Sequence, residues 1–197
     1  MSVLVVRHGE TAWAVAHRHT GRADVPLTEA GRADAAALAA PLAAWPLALV
    51  LVSPLTRAVT TAQLAGIIDG AERVDDLLEW DYGRAEGRTR EDVQAELPGW
   101  DLWTDGGPDG ERPQDVRARV DRVVARLAPY GDAGGPHAAV VAHGHVLRAL
   151  AARWLDAPVE LGRRLALDTA HVGVLGRDRG GTPVLQRWNG PVPALDG

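Results

Sequence analysis

The residues best suited to chemistry in this 197-residue chain are Arg7, His8, Arg57 and His143. Guanidinium groups bind phosphate oxygens through paired hydrogen bonds, and a neutral imidazole can act as a covalent nucleophile. Nearby arginines lower the pKa of an imidazole and so keep its ring neutral. If these four side chains meet, they predict a site in which His8 attacks the phosphorus of a bound phosphate ester.

Two further groups are needed to complete such a reaction. His143, if protonated, would donate to the charge that develops on the phosphoryl oxygens. Glu79 is the leading candidate to give a proton to the departing alkoxide. Taken singly, residues such as Arg57 and Glu79 are more often found on a solvated surface, and His143 is as compatible with the cap of a turn as with a ligand. The hypothesis therefore depends on their joint placement.

Metal binding is an alternative use of the histidines, since His8, His143 and His145 could together hold a cation. The surrounding arginines make such a site electrostatically unfavourable. The chain has no cysteine, which excludes zinc-thiolate sites and disulfides. We therefore expect no metal and no cofactor.

The elements that must position these residues follow from hydrophobic patterning. Short aliphatic and β-branched runs predict strands, and longer runs with apolar residues at helical spacing predict helices. Thr28 is a suitable N-cap for one of the helices, and Pro113 is a suitable first residue for another. Strands are predicted at residues 3–6, 48–52, 138–142, 171–175 and 184–188, with Val74 on another short strand. Helices are predicted at residues 29–44, 57–68, 91–96, 113–127 and 146–155.

This alternation predicts an α/β fold, a three-layer α/β/α arrangement around a mostly parallel sheet. Ligands bind beyond the carboxyl ends of the strands in such sheets. Arg7 and His8 follow the first strand, Ser53 and Arg57 follow the second, and His143 follows a later one. We expect these strand ends to converge.

Residues 75–112 differ from the rest of the chain, being rich in tryptophan, glycine and proline. We expect one domain over residues 1–197, in which 75–112 form an inserted, largely irregular excursion over the active site. Trp80, Tyr82, Trp100 and Trp103 either line the pocket or form core beneath the excursion, and the sequence leaves both open.

The composition of the chain limits which classes of partner are expected. The formal net charge is −5 with no clustered basic face, which argues against nucleic-acid binding. The longest apolar stretch contains Pro41 and Pro46 and is too short to span a bilayer. The N-terminal segment also lacks the pattern of a signal peptide. We expect a cytoplasmic protein that takes a small-molecule phosphomonoester and contacts neither nucleic acid nor membrane. Its oligomeric state is left open.

The segment Val5-Val6-Arg7-His8-Gly9-Glu10-Thr11 resembles the signature of the histidine phosphatase superfamily, the phosphoglycerate-mutase-like enzymes. Supporting segments follow in the family's order and extend the resemblance over nearly the whole chain. They are residues 19–21 and 26–31, 53–58 with 61–62, Glu79, and 142–144.

The resemblance implies a phosphoglycerate-mutase-like fold and a role for each matching residue. His8 would be the phosphorylated nucleophile, and Glu79 the proton donor. The other residues implied are near the phosphate or the substrate: Arg7, Arg57 and His143 in the phosphate pocket, and Thr20, Gly21 and Gly144 beside the substrate.

A narrower resemblance is to the broad-specificity acid phosphatases and the sedoheptulose-bisphosphatase-type sugar phosphatases. It rests on residues 79–83 with 86–87, 143–145 and 172–175, and it adds Tyr82 and His145 as expected substrate contacts. One departure is Ala14, where the family usually has Asn or Ser reaching the phosphoryl group. A lost hydrogen bond to a charged group costs about 1.5–3 kcal/mol, so we expect weakened activity.

The leading function is a metal-independent phosphomonoesterase that forms phosphohistidine on His8. A cofactor-dependent phosphoglycerate mutase is the first alternative, because it shares the first half-reaction. A non-catalytic phospho-ligand binder is the second alternative. The presence of both His8 and Glu79 argues against it, since binding alone needs no proton donor.

Overall fold

A six-stranded sheet forms the centre of the structure, a computed structural model that describes residues 2–131 and 136–195. The strands are β1 (Val3–Arg7), β2 (Leu47–Val52), β3 (Glu72–Arg73), β4 (His137–Ala142), β5 (Val172–Arg177) and β6 (Pro183–Gly190). Their order across the sheet is β3-β2-β4-β1-β5-β6. The first four are parallel to one another, whereas β5 pairs antiparallel with β1 and β6 antiparallel with β5. The prediction of a mostly parallel sheet is confirmed.

Helices cover both faces of this sheet. They are α1 (Ala12–Val15), α2 (Glu29–Ala37), α3 (Ala39–Leu42), α4 (Thr56–Leu64), α5 (Arg90–Glu96), α6 (Leu102–Asp105), α7 (Pro113–Leu127) and α8 (Gly144–Trp154). Single 3₁₀ segments lie at Asp75–Leu77, Gly83–Ala85, Ala128–Tyr130 and Val159–Arg164. None of the described helices is long and apolar enough to cross a bilayer.

Alternating side chains of the strands divide the core into two layers, because successive residues of a strand point to opposite faces. Leu4 and Val6 of β1 pack in a cluster with residues of α4 and of the α2–α3 segment. Val3 and Val5 pack in a second cluster with α7, α8 and the tryptophans of residues 75–112. This is the predicted three-layer α/β/α arrangement.

The prediction of one helix over residues 29–44 is wrong. Thr28 caps α2 by accepting from the amide of Gly31 at 3.0 Å, as expected, but the helix ends at Ala37 and a short α3 follows. Pro41 explains the break, because proline has no amide hydrogen and its ring would collide with the carbonyl four residues earlier, that of Ala37.

The helix predicted at residues 57–68 ends earlier, at Leu64. Gly66 adopts a left-handed φ of 71°, and the amides of Gly66 and Ile67 donate to the carbonyls of Gln63 and Ala62. This pair of hydrogen bonds is a Schellman motif, which terminates helices at a glycine.

Other boundaries differ from the predictions by one or two residues. β3 is Glu72–Arg73, with Val74 just beyond it, although the Val74 amide still donates to the Val52 carbonyl at 2.9 Å. Helix α8 begins at Gly144, two residues before the predicted start at 146, with His143 as its N-cap. That earlier start places the first amides of α8 at the edge of the sheet where β4 ends.

Candidate active site

The parallel registers of three strands bring the predicted strand ends together. Val6 is in register with Val141, and Val141 with Val52, so the residues that follow leave the sheet at the same edge. The imidazole centroids of His8 and His143 are 5.1 Å apart. His143 Nε2 lies 2.7 Å from the hydroxyl of Ser53, which follows β2.

His8 is held as a neutral ring with a defined tautomer. Its side chain is buried, and its Nδ1 lies 2.7 Å from the carbonyl oxygen of Gly9, which can only accept a hydrogen bond. Nδ1 therefore carries the proton, and Nε2 keeps its lone pair. Burial, reinforced by the charges of Arg7 and Arg57, holds the pKa of His8 well below its usual value. A neutral imidazole with a free Nε2 is suited to nucleophilic attack.

Arg7 supplies unused hydrogen-bond donors beside His8. Its Nη1 donates to the carbonyl of Leu167 at 2.6 Å, which fixes the guanidinium. Its Nε is buried and has no partner among the described residues. Gly144 borders the guanidinium group, and a Cβ there would lie at an ordinary contact distance of 3.4 Å from the guanidinium carbon. A buried donor without a partner is costly, and an anion at this point would remove that cost.

His143 and Arg57 contact each other, and their arrangement differs from the expected donation by a protonated His143. Arg57 Nε donates to His143 Nδ1 at 3.0 Å, so the proton of the ring lies on Nε2, facing Ser53. Burial and the charge of Arg57 hold the pKa of His143 well below its usual value. His143 is therefore neutral here, and both of its nitrogens have protein partners.

Arg57 also fixes the loop that borders the site. Its terminal nitrogens donate to the carbonyls of Thr20, Gly21 and Ala23 at 2.7–3.0 Å, and the side chain is fully buried. Glu86 binds the same loop from the other side, accepting from the amides of Gly21 and its two successors. Thr20 lines the cavity, whereas Gly21 and Arg57 lie behind its wall.

Glu79 lies opposite, against the N-terminus of α8. Its Oε1 accepts from the amides of Trp80 and Val146, and its Oε2 from the amide of His145, each at 2.9 Å. The side chain is buried but lines the cavity. A carboxyl group is favoured at a helix N-terminus, where amides have no partners within the helix.

A buried ion pair holds the backbone on both sides of Glu79. Arg119 binds Glu111 through two hydrogen bonds of 2.9 and 3.0 Å. Its Nη1 also donates to the carbonyls of Asp76 and Leu78, which precede Glu79. Glu111 Oε2 accepts from the amide of Asp81, which follows it. These contacts fix the position of Glu79 relative to α8.

An open cavity of about 300 Å³ lies between His8 and Glu79. Besides Thr11 and Ala14, five of its residues were not among the predicted site residues, namely His17, Arg18, His19, Arg90 and Arg148. The remaining lining residues are Arg7, His8, Thr11, Ala14, Thr20, Glu79, Tyr82, Gly144 and His145. Ala14 thus faces the cavity with no polar side-chain atom. Arg148 could have been anticipated, because it follows His145 by three residues on one helix face.

The wall beyond Glu79 is built on aromatic rings. Tyr82 is buried, its hydroxyl lies 2.6 Å from His145 Nδ1, and burial raises its pKa well above the usual value, so it stays protonated. Trp100 and Trp103 are also buried and make edge and tilted contacts with His19 and His145. Of the four aromatic residues singled out in the sequence, Tyr82 lines the cavity, whereas the tryptophans form the core behind it.

The histidines are not arranged as metal ligands. Within residues 2–131 and 136–195, no group of three or more His, Asp or Glu side chains is placed to hold an ion. His8 Nδ1 and both nitrogens of His143 have protein partners, as does Nδ1 of His145. The expectation of metal independence stays a prediction.

Comparison with protein families confirms the resemblance found in the sequence. Residues 3–191 match the family described as histidine phosphatase superfamily (branch 1). The chain belongs to the histidine phosphatase superfamily. An acid phosphatase of Mycobacterium tuberculosis is 39% identical over 90% of this chain and 87% of its own length.

Other members of the superfamily differ in activity. A 2,3-bisphosphoglycerate-dependent phosphoglycerate mutase of Gloeobacter violaceus is 34% identical over 76% of this chain and 74% of its own length.

Among solved structures, the product of an open reading frame of Mycobacterium tuberculosis aligns over 98% of both chains with a TM-score of 0.89 and 36% identity. The fold predicted from the sequence is therefore confirmed.

The ion pair beside Glu79 should contribute strongly to stability. Arg119→Met would leave the Glu111 carboxylate without its cation in a largely buried position, where loss of one partner costs about 3–5 kcal/mol. We expect a decrease of that size in the free energy of unfolding, measured by urea denaturation.

Arg153→Met is the matched control, because Arg153 also binds an aspartate and a carbonyl. Its partner Asp121 is 38% exposed, so we expect a loss of about 1 kcal/mol or less. Equal losses in the two variants would contradict the special role given to the Arg119–Glu111 pair.

Proposed function

We propose that this protein is a metal-independent phosphomonoesterase that hydrolyses small phosphorylated metabolites through a phosphohistidine intermediate on His8. One observation carries the proposal: His8 is neutral, its Nδ1 donates to the Gly9 carbonyl, and within the described residues neither its Nε2 nor the Nε of Arg7 has a hydrogen-bond partner. The similarity to an acid phosphatase supports it.

In the first step, a phosphoryl oxygen of the substrate binds the Nε of Arg7. The lone pair of His8 Nε2 attacks phosphorus, so a P–N bond forms as the ester P–O bond breaks. Glu79 gives its proton to the departing oxygen, which leaves as an alcohol. Oε2 of Glu79 suits this role better than Oε1, because it accepts only one backbone hydrogen bond, from His145.

In the second step, water replaces the alcohol and attacks the phosphohistidine. The Glu79 carboxylate takes a proton from that water, the P–N bond breaks, and His8 returns to its neutral form as phosphate leaves. Glu79 thus acts as acid and then as base, and no ion or cofactor enters the balance.

The other predicted residues divide into two groups in this proposal. Thr20, Tyr82, Gly144 and His145 line the cavity and contact the substrate. Arg57 and His143 support the phosphate pocket from behind. Arg57 positions the loop of Thr20 and orients His143, and the neutral His143 steadies the strand ends around His8.

The mutase alternative requires cations in the stretch that follows Glu79, residues 84–112, to hold the carboxylate of a phosphoglycerate. The chain has no lysine, and of the three arginines that could substitute, Arg84 binds Asp109 and Arg88 binds Glu96. Arg90 lines the cavity but binds Asp101. Ala14 favours the alternative of a non-catalytic binder, whereas the contact of Glu79 with the same cavity favours an enzyme.

The proposal includes a cytoplasmic location. Phosphorylated metabolites are charged and are therefore retained inside cells, where such an enzyme would meet them. It assigns no nucleic-acid partner, because the net charge is −5. The oligomeric state is not part of the proposal.

Phosphate release should exceed mutase turnover. We expect measurable release from small phosphomonoesters without added metal, and with chelator present. Interconversion of 2- and 3-phosphoglycerate should be far slower, even with bisphosphoglycerate added, because water reaches an open cavity. Mutase turnover above phosphate release from every ester tried, or activity restored only by a divalent ion, would replace this proposal.

Glu79→Gln should separate substrates by their leaving group. General acid catalysis contributes about 10²- to 10⁴-fold, so hydrolysis of glycerol 3-phosphate should fall at least 100-fold. Hydrolysis of p-nitrophenyl phosphate should fall less, because nitrophenolate departs without a proton. The low pKa of His8 keeps its Nε2 unprotonated below pH 6.5, so wild-type activity on the aryl ester should persist there and decline only in more acidic buffer.

The measurement is kcat/KM for both esters across the pH range. An equal loss on the alkyl and aryl esters would mean that Glu79 is not the proton donor. A decline of the aryl-ester rate centred at pH 6.5 or above would contradict the assignment of a depressed His8 pKa.

A further inference from the structure

Arg148 is a cation of the cavity wall that the proposed reaction does not use. Its Nε donates to the carbonyl of Gly162 and its Nη2 to that of Arg163, both at 2.9 Å. Its guanidinium carbon lies 5.0 Å from the ring centroid of Trp103. These neutral contacts fix the plane of the group. Nη1 has no hydrogen-bond partner among the described residues and is not enclosed, so it can donate to a molecule in the cavity.

No carboxylate among the described residues forms an ion pair with Arg148. The other cations of the outer wall differ from it: Arg90 shares Asp101 with Arg163, and Arg18 is exposed. A half-buried guanidinium without a counter-ion is unusual, because charged groups removed from water are normally paired. Arg148 is therefore suited to bind an anion that is not part of the protein.

The charges that line the cavity also favour a ligand with a second anionic group. Four arginines line it, namely Arg7, Arg18, Arg90 and Arg148, against the single carboxylate of Glu79. Asp101 already pairs Arg90, so a phosphate dianion bound at His8 offsets only two of the three remaining cations when Glu79 is protonated. Arg148 lies four residues after Gly144, which contacts Arg7, and this spacing is about 6 Å along the axis of α8.

We propose that the substrate carries a second anionic group, a carboxylate or a second phosphate, which Arg148 binds about one helical turn from the phosphoryl group under attack. This inference rests on the proposed function and deepens it. Arg148 takes no part in bond breaking, since it binds a part of the substrate that departs with the leaving alcohol.

Matched substrates test the inference. 3-Phosphoglycerate and glycerol 3-phosphate differ only in a carboxylate against a hydroxymethyl group. Fructose 1,6-bisphosphate and fructose 6-phosphate differ in a second phosphate, so the two pairs distinguish the two anions. In the wild-type protein we expect kcat/KM for phosphate release to favour the member with the second anionic group, in at least one pair, by about tenfold or more.

Arg148→Met should bring that ratio close to one, because methionine keeps an apolar stem against Trp103 but removes the charge. Arg90→Met is the matched control. It removes another cavity cation, but one that Asp101 already pairs, so the ratio should largely persist. If Arg148→Met does not fold, added salt offers a second measurement, since the wild-type ratio should fall as ionic strength screens the contact.

The outcomes separate the two proposals. Hydrolysis of all four esters with ratios near one would overturn the role of Arg148 and leave the phosphatase function standing. A ratio lost in Arg90→Met but kept in Arg148→Met would also overturn it. Absence of phosphate release from every ester would instead contradict the proposed function.

Discussion

Backbone pairing of β1 and β2 with the central strand β4 determines where every group of the candidate site lies. The three strands are parallel and in register, so His8, Ser53 and His143 leave the sheet side by side. Helix α8 starts at the same edge, and its free amides meet the carboxyl group of Glu79. A slip of one residue in either pairing would send His8 and His143 to different faces and separate them.

Burying so many polar groups at one edge requires that each has a partner. Arg57 donates to three loop carbonyls and to His143, and Arg119 donates to two carbonyls and to Glu111. The two arginines hold the walls of the cavity on opposite sides, the loop at Thr20 and the segment of Glu79. Arg7 is the exception, since its Nε is buried without a partner among the described residues. An unused donor thus lines the same cavity as the nitrogen that we propose as nucleophile.

Much of this arrangement could be predicted from the sequence, because the rule that strand ends converge applies to His8, Ser53 and His143 without knowledge of the loops. The helix break before Pro41 was also predictable from the chemistry of proline. The partners of His143 were not, since its neutral state depends on Arg57, which is 86 residues away in sequence. The support of Glu79 by Arg119 was not predictable either, because the partners of Arg119 lie in residues 75–112, a segment with no strong periodic pattern. Arg148 gave one usable signal, its three-residue spacing from His145 on a helix.

The central claim is that His8 Nε2 forms a bond to phosphorus. The most direct test mixes the protein with a ³²P-labelled phosphomonoester, quenches the reaction in alkali within milliseconds, and maps the label by peptide mass spectrometry. Phosphoramidates survive alkali and decompose in acid, so we expect acid-labile label on the peptide that contains His8, and none in His8→Ala. Label on Ser53, on another hydroxyl or on a carboxylate would contradict the account, as would full activity in His8→Ala.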